Sequence, residues 1–218
     1  MLICPDQRYP LRSNASQIGR CGVELECLTD ALRKVILQQA VIHADETPVT
    51  IMRMDDKDKK PKKGYVWAYA TTQYNPIQAV IYDFQDSRSG EHAEAFLKDW
   101  QGHLVCDDYS GYKARFKSGQ IIEVGCMAHA RRKFHELHVT GKSQIAEQAL
   151  FLIQKLYAIE AEIRKNTDGT AEQRYKYRQQ YSQAVMQQLY EWLTQHQLAV
   201  PSSSATAKAI NYSLKRWE

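Results

Sequence analysis

Asp45 and Asp107 each end a short apolar run that is typical of a β-strand. Val-Ile-His-Ala precedes Asp45, and His-Leu-Val-Cys precedes Asp107. Two further strand candidates and one amphipathic helix lie between these runs, so the strands that carry the two acids can be neighbours in one sheet. Carboxylates on rigid strands suit Mg²⁺, and a divalent cation held there can promote phosphodiester chemistry. The sequence therefore predicts that Asp45 and Asp107 share a divalent cation.

The composition is that of a globular protein with a mild excess of positive charge. The chain has 218 residues, of which 44% are hydrophobic and 25% charged, and its formal net charge is +4. This balance permits a polyanionic partner without requiring one. Five widely spread cysteines argue against a secreted disulfide framework and for a reducing cytosol. We see no signal peptide and no apolar run near the ~20 residues of a membrane span, so we expect a cytoplasmic protein without membrane contact.

The spacing of apolar residues predicts a mixed α/β core in the first part of the chain. Residues 1–20 are poorly patterned and indicate a loose arm, whereas residues 23–39 follow helical spacing. Ser89 is a good N-cap for a helix that would pack Ala93, Phe96, Leu97 and Trp100 on the sheet. The charged segment 55–64 should be a hairpin loop. Strands are expected at 41–53, 65–73, 77–84, up to Asp107, and 121–124.

Beyond about residue 130 the pattern becomes helical. Two long amphipathic helices are predicted around residues 145–163 and 181–193, with a break at 166–169. They should pack as an antiparallel pair, which is either an insertion packed on itself or a dimer contact. A last helix should begin near Ala205.

Several sequence motifs around these elements resemble those of one protein family. The most specific are His-Ala-Asp-Glu-Thr-Pro-Val at 43–49, Asp-Asp-Tyr-Ser-Gly-Tyr at 107–112 and Cys-Met-Ala-His-Ala-Arg-Arg-Lys-Phe at 126–134. With shorter motifs at 63–67, 87–91 and 209–217, they resemble the insertion-sequence-66 transposases over about residues 19–218.

This resemblance implies a ribonuclease-H-like fold and a bacterial, nucleoid-associated DDE transposase that acts on element ends and target DNA with Mg²⁺ or Mn²⁺. Asp45 and Asp107 would be its first two catalytic acids and metal ligands. The family's third acid lies in an Asn-Asn-x-x-Glu-Arg segment, which this sequence lacks. We therefore expect a truncated core that is inactive alone. Its regions would be an arm and helix in 1–40, an incomplete catalytic core in 41–135, and a helical insertion with the start of a C-terminal part in 136–218.

Other acids lie close to the proposed ligands. Glu46 should point to the sheet face opposite to Asp45, because side chains alternate along a strand. Asp108 follows Asp107 directly, and only the resemblance favours its neighbour. Glu218 aligns with no acid motif of the family.

A Cys-x-x-His pair, Cys126 and His129, is followed by two further histidines at 135 and 138. These side chains could bind zinc, although closed zinc sites usually have two separated ligand pairs. The resemblance instead implies that His129 orients a phosphate or a side chain near the catalytic acids. The third interpretation is a buried cysteine with a hydrogen-bonded histidine that stabilises the core.

Two basic groups could contact DNA phosphates, with affinity that falls as salt rises. The alternative for the lysine group is a solvated hairpin tip. The groups are Arg131, Arg132 and Lys133, and Lys59, Lys60, Lys62 and Lys63.

Two other functions remain open at the level of the sequence. One is a non-catalytic DNA-binding or oligomerisation remnant that forms homo-oligomers or pairs with an intact transposase. The other is a ribonuclease-H-like nuclease that takes its third acid from elsewhere in this chain.

Overall fold

The computed structural model describes residues 11–51, 61–166 and 169–217, with side chains from residue 16 onwards. These residues form one five-stranded sheet and eight α-helices, which confirms the α/β class. A short 3₁₀ turn, Ser110–Tyr112, precedes the fourth helix. The elements are α1 (Leu11–Glu24), α2 (Glu26–Leu37), β1 (Val41–Ile51), β2 (Lys62–Thr71), β3 (Val80–Gln85), α3 (Gly90–Phe96), β4 (Gly102–Cys106), α4 (Lys113–Phe116), β5 (Ile121–Gly125), α5 (Met127–Gly141), α6 (Gln144–Asn166), α7 (Ala171–Ala199) and α8 (Ala205–Leu214).

The sheet is mixed, with strand order β3-β2-β1-β4-β5. β2 pairs antiparallel with both β1 and β3. The N–H of Gly102 donates to Gln120, and the N–H of Cys126 donates to Cys106. Because these bonds join β4 and β5 both at their beginnings and at their ends, the two strands run parallel.

The chain divides into two compact units. The first comprises residues 1–103 and 118–121, and the second comprises residues 104–117 and 122–218. No helix in the described part of the chain is long and apolar enough to cross a bilayer.

The core of the first unit lies on one face of β1, β2 and β3. Trp67 and Tyr69 of β2 are fully buried there, and the ring of Tyr69 stacks on Phe96 with 3.6 Å between centroids. Ser89 caps α3 by accepting a hydrogen bond from the N–H of Glu91, which confirms the predicted cap. The predicted apolar stripe of Ala93, Phe96, Leu97 and Trp100 is buried, although α3 ends at Phe96.

The core of the second unit is helical. Apolar side chains of α5, α6, α7 and α8 pack together, among them Phe134, Ile153, Leu193 and Ile210. Arg178 of α7 pairs with Glu160 of α6 at 2.6 Å, and Trp192 donates to Gln148 at 3.2 Å. A later residue of α7, Trp192, thus contacts an earlier residue of α6, Gln148. The two helices are therefore antiparallel, which confirms the prediction.

The prediction of a loose arm was wrong for residues 11–20, which belong to α1, while residues 1–10 lie outside the described residues. Residues 11–20 contain no proline, so nothing in this stretch interrupts the backbone hydrogen bonds of a helix.

Two predicted boundaries also differ from those observed. Lys62 and Lys63 lie within β2 and not in a hairpin loop, since they pair with Ile51 and Thr50. β3 begins at Val80 and not at residue 77. The Thr71 hydroxyl donates to the carbonyl of Ile77 at 2.9 Å, which holds that residue in the turn before β3.

Candidate catalytic site

Asp45 lies on the exposed face of β1. Along this strand Ile42, Ala44 and Glu46 are buried, whereas His43 and Asp45 are exposed. One carboxylate oxygen of Asp45 accepts a hydrogen bond from the N–H of Glu46 at 3.0 Å. The alternation therefore directs Asp45 away from the core of the first unit.

Glu46 is a buried acid with a structural partner. Its side chain is 1% exposed, and the guanidinium of Arg88 donates to it from both Nε, at 3.1 Å, and Nη2. Arg88 directly precedes Ser89, the N-cap of α3, so this ion pair fixes the beginning of α3 to β1. The prediction that Glu46 lies on the face opposite to Asp45 is confirmed by the burial pattern.

Asp107 directly follows β4. One of its carboxylate oxygens accepts a hydrogen bond from the N–H of Tyr109 at 2.8 Å, which turns the chain immediately after the strand. The preceding residue, Cys106, is buried. Burial, assisted by the negative charges of Glu123 and Asp107, raises the pKa of the Cys106 thiol to about 12. Burial therefore favours the neutral form of this thiol at physiological pH.

Asp108 has a different environment from Asp107. It forms ion pairs with Lys113 at 3.2 Å, with Lys215 at 3.5 Å and with Arg216. Partial burial raises its pKa, but the hydrogen bond from Lys113 and the charges of Arg216, Lys113 and Lys215 outweigh burial and lower the pKa overall. Three cations thus neutralise the Asp108 carboxylate. The residues around Asp107 and Asp108 in the sequence did not distinguish these two acids.

Arg216 is the residue of this cluster that sequence reasoning missed. Its side chain is 7% exposed, pairs with Asp108 and Glu123, and lies over the ring of Tyr212 with 4.4 Å to the centroid. A Cβ at Gly125 would lie 3.2 Å from the Arg216 side chain, so glycine permits this close approach. No local pattern could indicate the pairing, because its members lie far apart in the sequence.

Cys126 and His129 form the beginning of α5. Cys126 is the N-cap residue, and its carbonyl accepts a hydrogen bond from the N–H of His129 at 3.1 Å. Both residues are half-buried. Within residues 11–51, 61–166 and 169–217, no three His, Cys, Asp or Glu side chains converge as a metal-binding cluster.

The predicted basic groups are only partly available to a ligand. Arg131 and Arg132 are exposed on α5, whereas the Lys133 ammonium lies over the ring of Tyr212 at 4.5 Å from the centroid. Lys62 pairs with Asp86 at 2.7 Å, and Lys63 is exposed. Lys59, Lys60 and the alternative acid Glu218 lie outside the described residues.

Comparison with known proteins decides the family. Residues 12–218 match the transposase IS66 family. The chain belongs to this family. The IS66-family match confirms the resemblance seen in the motifs and begins a few residues earlier than they indicated. Three uncharacterized proteins of Sinorhizobium fredii are similar: y4qI is 34% identical over 94% of this chain, y4hP 31% over 94%, and y4jD 34% over 88%. The IS66-family chain spans 39% of the length of each of these relatives.

Proposed function

We propose that this IS66-family chain forms part of a ribonuclease-H-like, DDE-type catalytic core that cleaves and joins DNA. Asp45 and Asp107 would be two of its metal ligands. The observation that carries the proposal is the strand order, in which β1 with Asp45 is next to β4, which Asp107 follows. The N–H of His103 donates to the carbonyl of Ala40 at 2.9 Å, just before β1. The beginnings of β1 and β4 therefore lie side by side, which supports the proposal.

The donor set fits Mg²⁺ or Mn²⁺, because both prefer hard oxygen ligands. Asp45 and Asp107 would hold the cation. When bound, it would lower the pKa of an attacking hydroxyl and stabilise the departing oxygen. The family resemblance implies a third acid in an Asn-Asn-x-x-Glu-Arg segment, and the 218 residues contain no such segment. We therefore expect the 218-residue protein to give no strand-transfer product by itself.

The surroundings of Asp107 and Asp108 support the choice between them. Asp108 is already neutralised by Lys113, Lys215 and Arg216, and a cation that bound it would face their repulsion. Asp107 accepts a backbone hydrogen bond with one oxygen, which orients the carboxylate without neutralising its charge.

DNA is the proposed partner. Exposed Arg131 and Arg132 on α5, with Lys63 on β2, are suited to phosphate contacts that give affinity without sequence choice. Pairing of this chain with itself or with an intact transposase would bring further DNA contacts and remains part of the proposal.

DNA affinity measured with and without Mn²⁺ tests this function. A cation held by Asp45 and Asp107 would also bind a DNA phosphate, so Mn²⁺ should tighten binding of the 218-residue protein to duplex DNA. Asp45→Asn and Asp107→Asn should abolish this effect, whereas Asp108→Asn, the matched control, should keep it. An Mn²⁺ effect that survives both the Asp45 and the Asp107 change would contradict the proposed site. Strand-transfer product from this protein alone would contradict the need for a further acid.

A further inference from the structure

Tyr82 and Phe84 lie on the same sheet face as Asp45. Asp45 pairs with Ala68 of β2, and Ala68 pairs in turn with Tyr82 of β3. In the neighbouring row, Thr47 pairs with Val66, and Val66 pairs with Phe84. Directly opposed residues in antiparallel strands point to the same face, so the two aromatic side chains and Asp45 share one surface of the first unit.

Both aromatic side chains are largely exposed on this surface. Tyr82 is 69% exposed and Phe84 is 55% exposed, whereas Ile81 between Val80 and Tyr82 is buried on the other face. A Cβ at Gly64 would lie 2.8 Å from the ring of Phe84. The ring of Phe84 therefore lies against the backbone of Gly64, and its exposed fraction belongs to the side turned away from the strand.

The sheet surface beside Asp45 carries short side chains on β2. The β2 residues in the rows of Asp45 and His43 are Ala68 and Ala70, whose side chains end at Cβ. Neither alanine can rise between β1 and β3 as a barrier. Tyr82 is thus joined to Asp45 by an open strip of sheet, and Phe84 lies in the next row, in which the β2 residue is Val66.

We propose that Tyr82 and Phe84, the aromatic platform, stack on unpaired bases at the DNA end whose phosphate is processed at Asp45. This inference rests on the proposed function of Asp45. Neighbouring strands lie about 4.8 Å apart, so Tyr82 is about 10 Å from Asp45 across two strand spacings. At about 3.4 Å per nucleotide step, that distance corresponds to about three nucleotides. The platform therefore meets bases a few positions from the reacting phosphate.

The position of the platform favours DNA over a protein partner. DNA that presents a phosphate to a cation at Asp45 and continues across β2 towards β3 brings its bases within reach of Tyr82. Stacking on aromatic rings tolerates any base, because every base has a π-face.

Binding of a short fluorescent single-stranded oligonucleotide, at a salt concentration high enough to weaken phosphate contacts, tests the platform. Tyr82→Ala and Phe84→Ala should each weaken binding by about tenfold, as expected when one stacked base is lost. Tyr82→Phe should bind like the unchanged protein, because it keeps the ring. Tyr175→Ala is the matched control, since Tyr175 is a 62% exposed tyrosine on α7. Thermal unfolding of each variant verifies that it is folded.

A fully paired, blunt duplex of the same sequence should show a smaller difference between the variants, because its bases already stack on each other. The single-strand measurement contains no metal, whereas the metal site is tested by the effect of Mn²⁺, so failure of the metal site and failure of the platform give different results. Unchanged single-strand affinity in Tyr82→Ala and Phe84→Ala would overturn the inference. Loss of self-association without loss of DNA affinity would also overturn it, since the face would then bind a second copy.

Discussion

The guanidinium of Arg216 pairs with the carboxylate of Asp108, which joins the turn after β4 to the segment that follows α8. Arg216 also pairs with Glu123 of β5 at 3.2 Å. One nearly buried cation thus links three segments of the second unit beside Asp107. This arrangement makes Asp108 a structural acid and leaves Asp107 as the candidate ligand.

Loss of Arg216 should destabilise the protein. Arg216→Ala leaves two partly buried carboxylates without this partner and removes the contact with the Tyr212 ring, so we expect a loss of about 1–3 kcal/mol in the free energy of unfolding. Arg216→Lys should recover only part of the loss, because an ammonium lacks the planar fork of guanidinium. Urea denaturation measures these differences. Lys215→Ala is the control, since Lys215 is more exposed and its contact with Asp108 is longer. Equal unfolding midpoints for Arg216→Ala and Lys215→Ala would refute this role.

The Asp108 cluster should make stability fall in acid. The pKa of Asp108 is lowered in the folded protein, so its stabilisation is fully present above the ordinary aspartate pKa of 3.8 and is lost as pH falls through the lower folded pKa. Asp108→Asn should therefore be less stable at neutral pH and should lose less on acidification. Thermal unfolding across this pH range checks the sign. If Asp108→Asn and the unchanged protein lose stability equally steeply as pH falls, Asp108 does not contribute to the acid dependence.

The Glu46–Arg88 pair should contribute more to the free energy of unfolding than an exposed ion pair of the same unit. Arg88→Ala leaves a buried carboxylate without its guanidinium, and we expect a loss of about 1–3 kcal/mol, limited by the partial exposure of Arg88. Lys62→Ala, which breaks the exposed pair with Asp86, should leave the free energy of unfolding unchanged. Glu46→Gln combined with Arg88→Ala should be less harmful than Arg88→Ala alone, because no buried charge remains. Chemical denaturation of all three variants decides the order.

Arg131 and Arg132 should contribute to DNA binding through charge alone. Each neutral substitution should lower the slope of log affinity against log salt by about 0.9 for duplex DNA if that side chain contacts one phosphate. Lys165→Ala is the control, because Lys165 is an exposed cation at the end of α6. Fluorescence anisotropy over a series of salt concentrations gives the slopes. An unchanged slope for Arg131→Ala and Arg132→Ala would assign DNA contact to other residues.

Periodicity predicted the features whose cause is local. The opposite faces of Asp45 and Glu46 follow from the geometry of a strand, and the buried positions Ala93 and Phe96 follow from that of a helix. Both predictions are confirmed, although the predicted stripe continues to Trp100 and α3 ends at Phe96. The N-cap at Ser89 has an equally local cause. The short helix α4 was missed, since four residues show no period.

The features that sequence reasoning missed depend on contacts between distant residues. Nothing around Asp107 and Asp108 distinguishes them, because the difference comes from Lys215 and Arg216 late in the chain. The exposure of Tyr82 and Phe84 could not be predicted from the sequence for a similar reason. Both look like ordinary strand residues until the register shows which face they share with Asp45.

Fe²⁺-directed cleavage of the polypeptide tests the central claim, that Asp45 and Asp107 share one cation, most directly. Fe²⁺ bound in place of Mg²⁺, with ascorbate and peroxide, generates radicals that cut the nearest backbone. We predict cuts beside both Asp45 and Asp107 that excess Mg²⁺ suppresses, and we predict that Asp45→Asn removes the cut beside Asp107 as well, while Asp108→Asn keeps both. Cuts beside one aspartate only, or cuts beside Asp107 that persist in Asp45→Asn, would contradict a shared site.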